Sequence, residues 1–175
     1  MKKILVLGAG AMGSAFTVPC VDNNNDVVLV GSHLEDDAID NIKKENNFHK
    51  ILNCKLPKNL RVEKFKNFQD EIKTKPDLIV VGVNSKGIEW AGKEISKNYN
   101  SSTSILLLTK GLSVINNKFE TLAEKFKLIL ANNNVTESSI SAVGGPCLAS
   151  GLVNRIKSSV VLANENKDVV KNIKK

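Results

Sequence analysis

The stretch Lys2–Ser14, KKILVLGAGAMGS, constrains this chain more than any other. Ile4–Leu7, with Lys3 leading in, is a short apolar run that predicts a buried strand. It passes directly into Gly8-Ala9-Gly10-Ala11-Met12-Gly13, a G-x-G-x-x-G that leaves a strand and opens an apolar helical pattern, which is the setting the motif requires. Each glycine has its own task. Gly8 permits the tight turn out of the strand. Gly10, without a Cβ, lets a diphosphate approach the backbone. Gly13 lets the helix lie close on the sheet. The free N–H groups and partial positive charge at the helix start, around Ala11 and Met12, favour an anion. The pattern therefore predicts a dinucleotide site.

The remaining chain is patterned as alternating strands and helices. After Gly13 a helix is expected to about Asp22, with Pro19 kinking it or ending it early because proline has no backbone donor. Asn23-Asn24-Asn25 reads as a turn, Asp26–Val30 as a second buried strand, and Glu35–Glu45 as an exposed helix with acids early and lysines late. Residues 46–60 show no strong period. Leu60–Phe65 reads as an edge strand and Phe68–Lys73 as a short helix. Leu78–Val83 is a central strand, Ile88–Ser96 a helix and Thr103–Leu108 a buried strand. Lys118–Ala131 reads as a longer helix. Ile140–Val143 follows as a strand, Leu148–Val153 as a short helix, Ser159–Ala163 as a strand and Lys167–Lys174 as a last helix. Buried strands alternating with helices predict an α/β fold of Rossmann-like, doubly wound type, with a mostly parallel sheet covered on both faces. No internal linker interrupts the pattern, so residues 1–175 read as one domain.

Composition excludes other classes. The net charge is +7 over 175 residues, but the cations are scattered lysines, Arg61 and Arg155 being the only arginines. Only 5% of residues are aromatic, too few for a base-stacking platform, so nucleic acid is not an expected partner. No apolar run approaches the roughly 18 residues that span a bilayer. The basic N-terminus superficially resembles a secretory signal, but its apolar run is consumed by the glycine motif. Cys20, Cys54 and Cys147 are odd in number and lack metal-ligand spacing, which predicts free thiols, no metal site and a reducing, cytoplasmic setting.

In a doubly wound sheet, ligands bind outside the carboxyl ends of the strands. The residues at those ends are the glycine loop, Gly31-Ser32-His33, Asn84-Ser85, Thr109-Lys110 and Gly145-Pro146-Cys147. An acid about twenty residues past the motif normally receives the adenosine ribose. Here that position falls at Gly31 or Ser32, and Glu35, Asp36 and Asp37 come several residues later. With no carboxylate to repel it, a 2′-phosphate could be taken by Ser32 and His33, so the cofactor is NAD or NADP with a tilt towards NADP. Lys110, at a strand mouth, is placed to hold a phosphate or an oxygen. Cys147 reads as a small wall residue, since no base is indicated beside it.

Three segments in this order, GAGAMGSA at Gly8–Ala15, LLLTKGL at Leu106–Leu112 and VGGPCLASGLVNRIKSSVVLAN at Val143–Asn164, resemble the N-terminal domain of NAD(P)-dependent glycerol-3-phosphate dehydrogenase. SAFTVPCVDNNNDVVLVGS and VVGVNSKGI are more similar to its archaeal-type branch. The alternatives are another two-domain reductase of the ketopantoate reductase type and a stand-alone dinucleotide-binding module. The resemblance implies reversible hydride transfer between nicotinamide and sn-glycerol 3-phosphate, giving dihydroxyacetone phosphate and feeding glycerophospholipid synthesis. It implies cofactor contacts by Gly8–Gly13, by Ser32 or His33, by Asn84, Lys110 and Ala149. It implies substrate contacts by Lys110, Gly145 and Cys147. The family's general-base lysine belongs to a second, helical domain that has no counterpart in these residues. No catalytic residue is therefore expected here, and the chain alone should bind dinucleotide with little turnover. A homodimer is the implied assembly of the full-length enzyme.

Overall fold

The computed structural model describes residues 1–115 and 117–174. In chain order the elements are β1 (Lys3–Leu7), α1 (Ala11–Asp22), β2 (Asp26–Val30), α2 (Asp36–Lys44), β3 (Phe48–His49), β4 (Cys54–Lys55), β5 (Arg61–Glu63), α3 (Phe68–Lys73), β6 (Leu78–Val81), α4 (Ile88–Ser96), β7 (Ser104–Leu107), β8 (Leu112–Ile115), β9 (Lys118–Thr121), α5 (Leu122–Asn132), β10 (Ser139–Gly144), α6 (Ala149–Val153), β11 (Val161–Ala163) and α7 (Lys167–Lys174). Short 3₁₀ turns at Phe65–Asn67 and Ser85–Gly87 lead into α3 and α4.

Seven strands form one sheet in the order β11-β10-β7-β6-β1-β2-β5, parallel except for β11, which runs antiparallel to β10. The chain moves from β1 outward through β2 to β5, then returns to the other side of β1 with β6. The order reverses between β1 and β6, the topological switch point at which such sheets open a crevice for ligand.

The central strands carry apolar residues continuously because both faces are covered. Leu5, Leu7, Val28, Val30, Ile79, Val81, Ile105 and Leu107 point to one face and meet Phe68, Ile88, Ile95, Phe126 and Leu130 of α3, α4 and α5. Their alternates Ile4, Val6, Val27, Leu29, Leu78, Val80 and Leu106 point to the other face and meet Val18 and Val21 of α1 and Ile39 and Ile42 of α2. A period of two places successive residues on opposite faces, and burying each large side chain contributes about 1.5–3 kcal/mol.

Several local expectations change. Pro19 does not end its helix, which runs to Asp22, and both the N–H and the Nδ2 of Asn23 donate to the Pro19 carbonyl at 3.1 and 3.0 Å. Residues 46–60, which show no period, hold the two-residue pair β3–β4. The expected helix over Lys118–Ala131 is corrected at its start: Lys118–Thr121 is a strand paired antiparallel with Leu112–Ile115. The helix begins at Leu122, where Thr121 accepts from the Glu124 N–H and Glu124 reaches back to the Thr121 N–H. That T-x-x-E capping box marks the boundary, a local signal that the helix reading over Lys118–Ala131 passed over. The three cysteines are free thiols, and burial pushes Cys20 up to about 12.

Gly13 and Gly82 govern how closely α1 sits on the sheet. A Cβ on Gly13 would stand 2.1 Å from the Gly8 carbonyl oxygen, and one on Gly82 would stand 2.8 Å from the Gly13 Cα. These obstacles are backbone and cannot rotate away. Gly13→Ala should therefore lower the unfolding free energy by about 1–3 kcal/mol or more, despite alanine's better helix propensity. Urea denaturation followed by circular dichroism checks this; an unchanged midpoint would contradict the packing described.

Candidate functional site

The site grows from the turn after β1. Gly8 has φ +108°, open to glycine and strained for other residues, and its N–H donates to the Val30 carbonyl at 2.8 Å. This turn aims α1 at the crevice. Gly10 caps α1 with φ −68°, without a side-chain cap, and no acid lies in the first turn. The N–H groups of Ala11, Met12 and Gly13 precede the first intrahelical bond, which Ser14 N–H makes to the Gly10 carbonyl at 3.0 Å. A Cβ on Gly10 would meet only the Glu35 Oε1, at 3.8 Å, so the approach to these donors is open. Donors, dipole and bare backbone together form an anion seat.

Ala9, between the first two glycines, is held from both sides. Its N–H donates to Glu35 Oε2 at 2.9 Å, and the same oxygen accepts the Ser32 N–H at 2.7 Å. Its carbonyl accepts the Ser14 hydroxyl at 3.1 Å and faces His49 Nε2 at 3.0 Å. His49 is buried, and its Nδ1 accepts the Leu52 N–H at 3.2 Å, which puts the imidazole proton on Nε2 as donor to Ala9. Neither Glu35 nor His49 belongs to the set expected from sequence. Glu35 had a signal, since Ser32-x-x-Glu35 is a serine followed three residues later by a glutamate that reaches back to its N–H. His49 had none, because β3 is 40 residues from Ala9.

The premise that no carboxylate reaches the exit of β2 is therefore corrected. Glu35 lies late in the sequence, but the turn closed by its N–H on the Ser32 carbonyl at 3.0 Å folds it back to that exit. Ser32 itself is buried, with its N–H already used. His33 is exposed and tilts against Trp90, with ring centroids 4.6 Å apart, while Phe65 stands 5.0 Å from Trp90. The three rings pack against one another, with His33 and Phe65 6.3 Å apart.

The other expected residues fall into two groups. Met12, Lys110 and Cys147 share the lining of a groove of about 840 Å³ beside α1, with Leu108 and Val143 also on its wall. The Lys110 ammonium donates to the Gly145 carbonyl, tying the mouth of β7 to the end of β10. Ala149 opens α6, which packs on α1. Asn84 follows β6 beside the glycine loop, but its side-chain oxygen accepts the Gly87 N–H at 3.0 Å and caps the turn there. Ser32 and His33 stand outside that groove lining. Among the described residues no cluster of His, Cys, Asp and Glu could hold a metal, and no helix is long and apolar enough to cross a membrane.

A parallel sheet with reversed strand order, a bare glycine turn at the reversal and an uncapped helix start define a Rossmann-type dinucleotide-binding fold. The family model described as the N-terminus of NAD-dependent glycerol-3-phosphate dehydrogenase matches residues 3–170, and the chain belongs to that family. It is 27% identical over 176 residues to the glycerol-3-phosphate dehydrogenase [NAD(P)+] of Mesoplasma florum, covering 98% of this chain and 49% of that protein. It is 28% identical over 172 residues to the NADP(+)-dependent glycerol-3-phosphate dehydrogenase of Archaeoglobus fulgidus, again 98% and 49%. The glycerol-3-phosphate dehydrogenase structure from Coxiella burnetii superposes with a TM-score of 0.80 at 18% identity, over 98% of this chain and 49% of that one. The chain thus spans about half the length of the curated relatives it matches.

His49→Phe should remove the donor to Ala9 and leave the half-buried Leu52 N–H without its acceptor, lowering stability by about 1–3 kcal/mol. His49→Gln, which can still donate to Ala9, should recover part of the loss. Paired denaturation curves test this, and equal stability of both variants and the parent would exclude the clamp.

Proposed function

We propose that this chain is the coenzyme-binding half of an NAD(P)-dependent glycerol-3-phosphate dehydrogenase. The reaction is reversible hydride transfer between the nicotinamide ring and C2 of sn-glycerol 3-phosphate, giving dihydroxyacetone phosphate. The observation that carries the reading is the open, uncapped start of α1 beside Gly10, at the strand-order reversal, in a chain matched over residues 3–170 by the family model.

In this reading Gly8, Gly10, Ala11, Met12 and Gly13 seat the diphosphate, whose charge meets the first-turn N–H groups and the helix dipole. The crevice beyond Ser32 and His33 takes the adenosine end, with Asn84 and Ala149 as further coenzyme contacts. Lys110 stands where β7 opens and would attract the substrate phosphate or the carbonyl oxygen that gains charge in the reduction. Gly145 and Cys147 would border the substrate. The nicotinamide supplies the hydride when bound. A base that takes the hydroxyl proton typically contributes about 10²–10⁴-fold, and none of these site residues is assigned that part. The chain by itself therefore binds coenzyme with little turnover.

Of the two coenzymes, Ser32 and His33 are the features that would accept a 2′-phosphate, and Glu35 is the feature that would repel it. A cytoplasmic setting and a homodimer of the full-length enzyme complete the reading, supported by the free thiols and the family resemblance.

Titrating the chain with NADH and following the coenzyme's own emission should give saturable binding tighter than about 1 mM, or about −4 kcal/mol. Gly10→Val should weaken that binding at least about tenfold, since each tenfold step needs only about 1.4 kcal/mol. Its unfolding midpoint should move far less than that of Gly13→Ala, because the space around Gly10 is open. Absence of binding by NADH and NADPH alike would refute the assignment.

A further inference from the structure

The seven-strand sheet ends in two edges, and the chain treats them differently. A free edge exposes unpaired N–H and C=O groups that invite another strand, and proteins usually blunt it with charge, proline or cover. β5, at one end, is blunted. Its Arg61 is held by Glu71 at 2.8 Å and its Glu63 by Lys43 at 3.1 Å, so charged pairs flank the buried Val62. β11, at the other end, pairs with β10 alone. Residues 158–164 around it, SSVVLAN, hold no charge and no proline. Val160 is 48% exposed and Val161 66%, while Leu162 packs inward against the core. The first charges outside this stretch are Lys157 and Glu165, four residues before and four residues after Val161.

We propose that β11 is a homodimer edge: two copies of this chain pair their β11 strands antiparallel about a two-fold axis at Val161, so that the sheet runs from one copy into the other. Charge selects this arrangement. Centred on Val161, the register places Lys157 of each copy opposite Glu165 of the other, and both ends attract. A parallel pairing would set Lys157 against Lys157 and Glu165 against Glu165. An antiparallel pairing centred on Leu162 would set Lys157 against Lys167. On one face Val161 meets its own counterpart, with Cβ atoms about 4.5–5.5 Å apart. On the other face Val160 meets Leu162, since successive side chains alternate across a strand. A two-fold pairing uses the same edge in both copies and therefore closes at two, where a head-to-tail pairing would continue into a fibre. Three strands, β10, β7 and β6, separate β11 from β1 and its glycine turn. The dimer edge thus goes beyond coenzyme binding and does not depend on it.

Sedimentation equilibrium of the chain tests this. It should show a monomer–dimer equilibrium with a Kd of about 1–100 µM, the weak range expected of a small interface. Lys157→Glu and Glu165→Lys each set like charges against one another at both ends, and each should weaken the dimer by about tenfold or more. The double variant restores opposite charges at both ends and should return the Kd to within about threefold of the parent's. Lys127, which meets Glu165 within the chain at 3.2 Å, is exposed and can turn away from a lysine there. Lys157 and Glu165 are themselves exposed, so these variants should fold, which circular dichroism checks. Val161→Lys, which puts two ammonium groups side by side on the axis, should abolish the dimer and decides the matter if a charge variant does not fold. The proposal is overturned by a parent that stays monomeric up to about 1 mM. It is equally overturned by a dimer that the single variants leave unchanged, by one that the double variant does not restore, or by growth into polymers beyond two copies.

Discussion

The structure depends on one close approach of backbone to backbone. Gly8, Gly13 and Gly82 meet where β1 turns into α1 and β6 leaves the sheet, at separations that leave no room for a Cβ. This lets a helix sit almost against two strands at the point where strand order reverses. With α1 drawn in so tightly, its first-turn donors open onto the crevice and not onto bulk solvent. A side chain at Gly13 would push the helix away and misdirect every donor that follows it.

A second layer of interactions holds that turn. The Ala9 peptide is fixed through its N–H by Glu35 and through its carbonyl by His49 and Ser14. These partners come from α1, from the segment after β2 and from the small β3–β4 pair. The small pair would otherwise be an unremarked excursion of the chain; its contribution is the His49 imidazole, held against the Ala9 carbonyl of the loop that the anion seat requires. The glycine loop is bare on the side that faces the crevice and clamped on the side that faces the protein. Preorganisation of this kind reduces the ordering that ligand binding must carry.

The architecture was largely legible before any coordinates. Short apolar runs such as Leu78–Val81 and Ile105–Leu107 predict strands buried on both faces, and the helices between them supply the cover. The hairpin of Leu112–Ile115 with Lys118–Thr121 was not, since its exposed Leu112, Val114 and Phe119 carry no alternation that separates a core face from a solvent face. The site was legible in part. Gly8–Gly13 announced itself through local spacing, and Lys110 and Cys147 through their places after buried strands. The grouping of Met12, Lys110 and Cys147 around one groove was a matter of packing, as was the capping use of the Asn84 side chain.

What this sequence settled alone is whatever depends on neighbours along the chain: the glycine turn, most of the strand and helix periods and the fold class that follows. What the tertiary structure decided is which distant groups complete the turn. Glu35 stands 26 residues from Ala9 and His49 stands 40 away, and the hydrogen bonds that join them to it span strands and loops whose separation in sequence carries no record of their distance in space. Local spacing follows from backbone geometry, which each short stretch obeys independently. The charge at the mouth of the crevice follows from how the whole sheet closes, and only the folded chain can bring a late carboxylate back to an early loop.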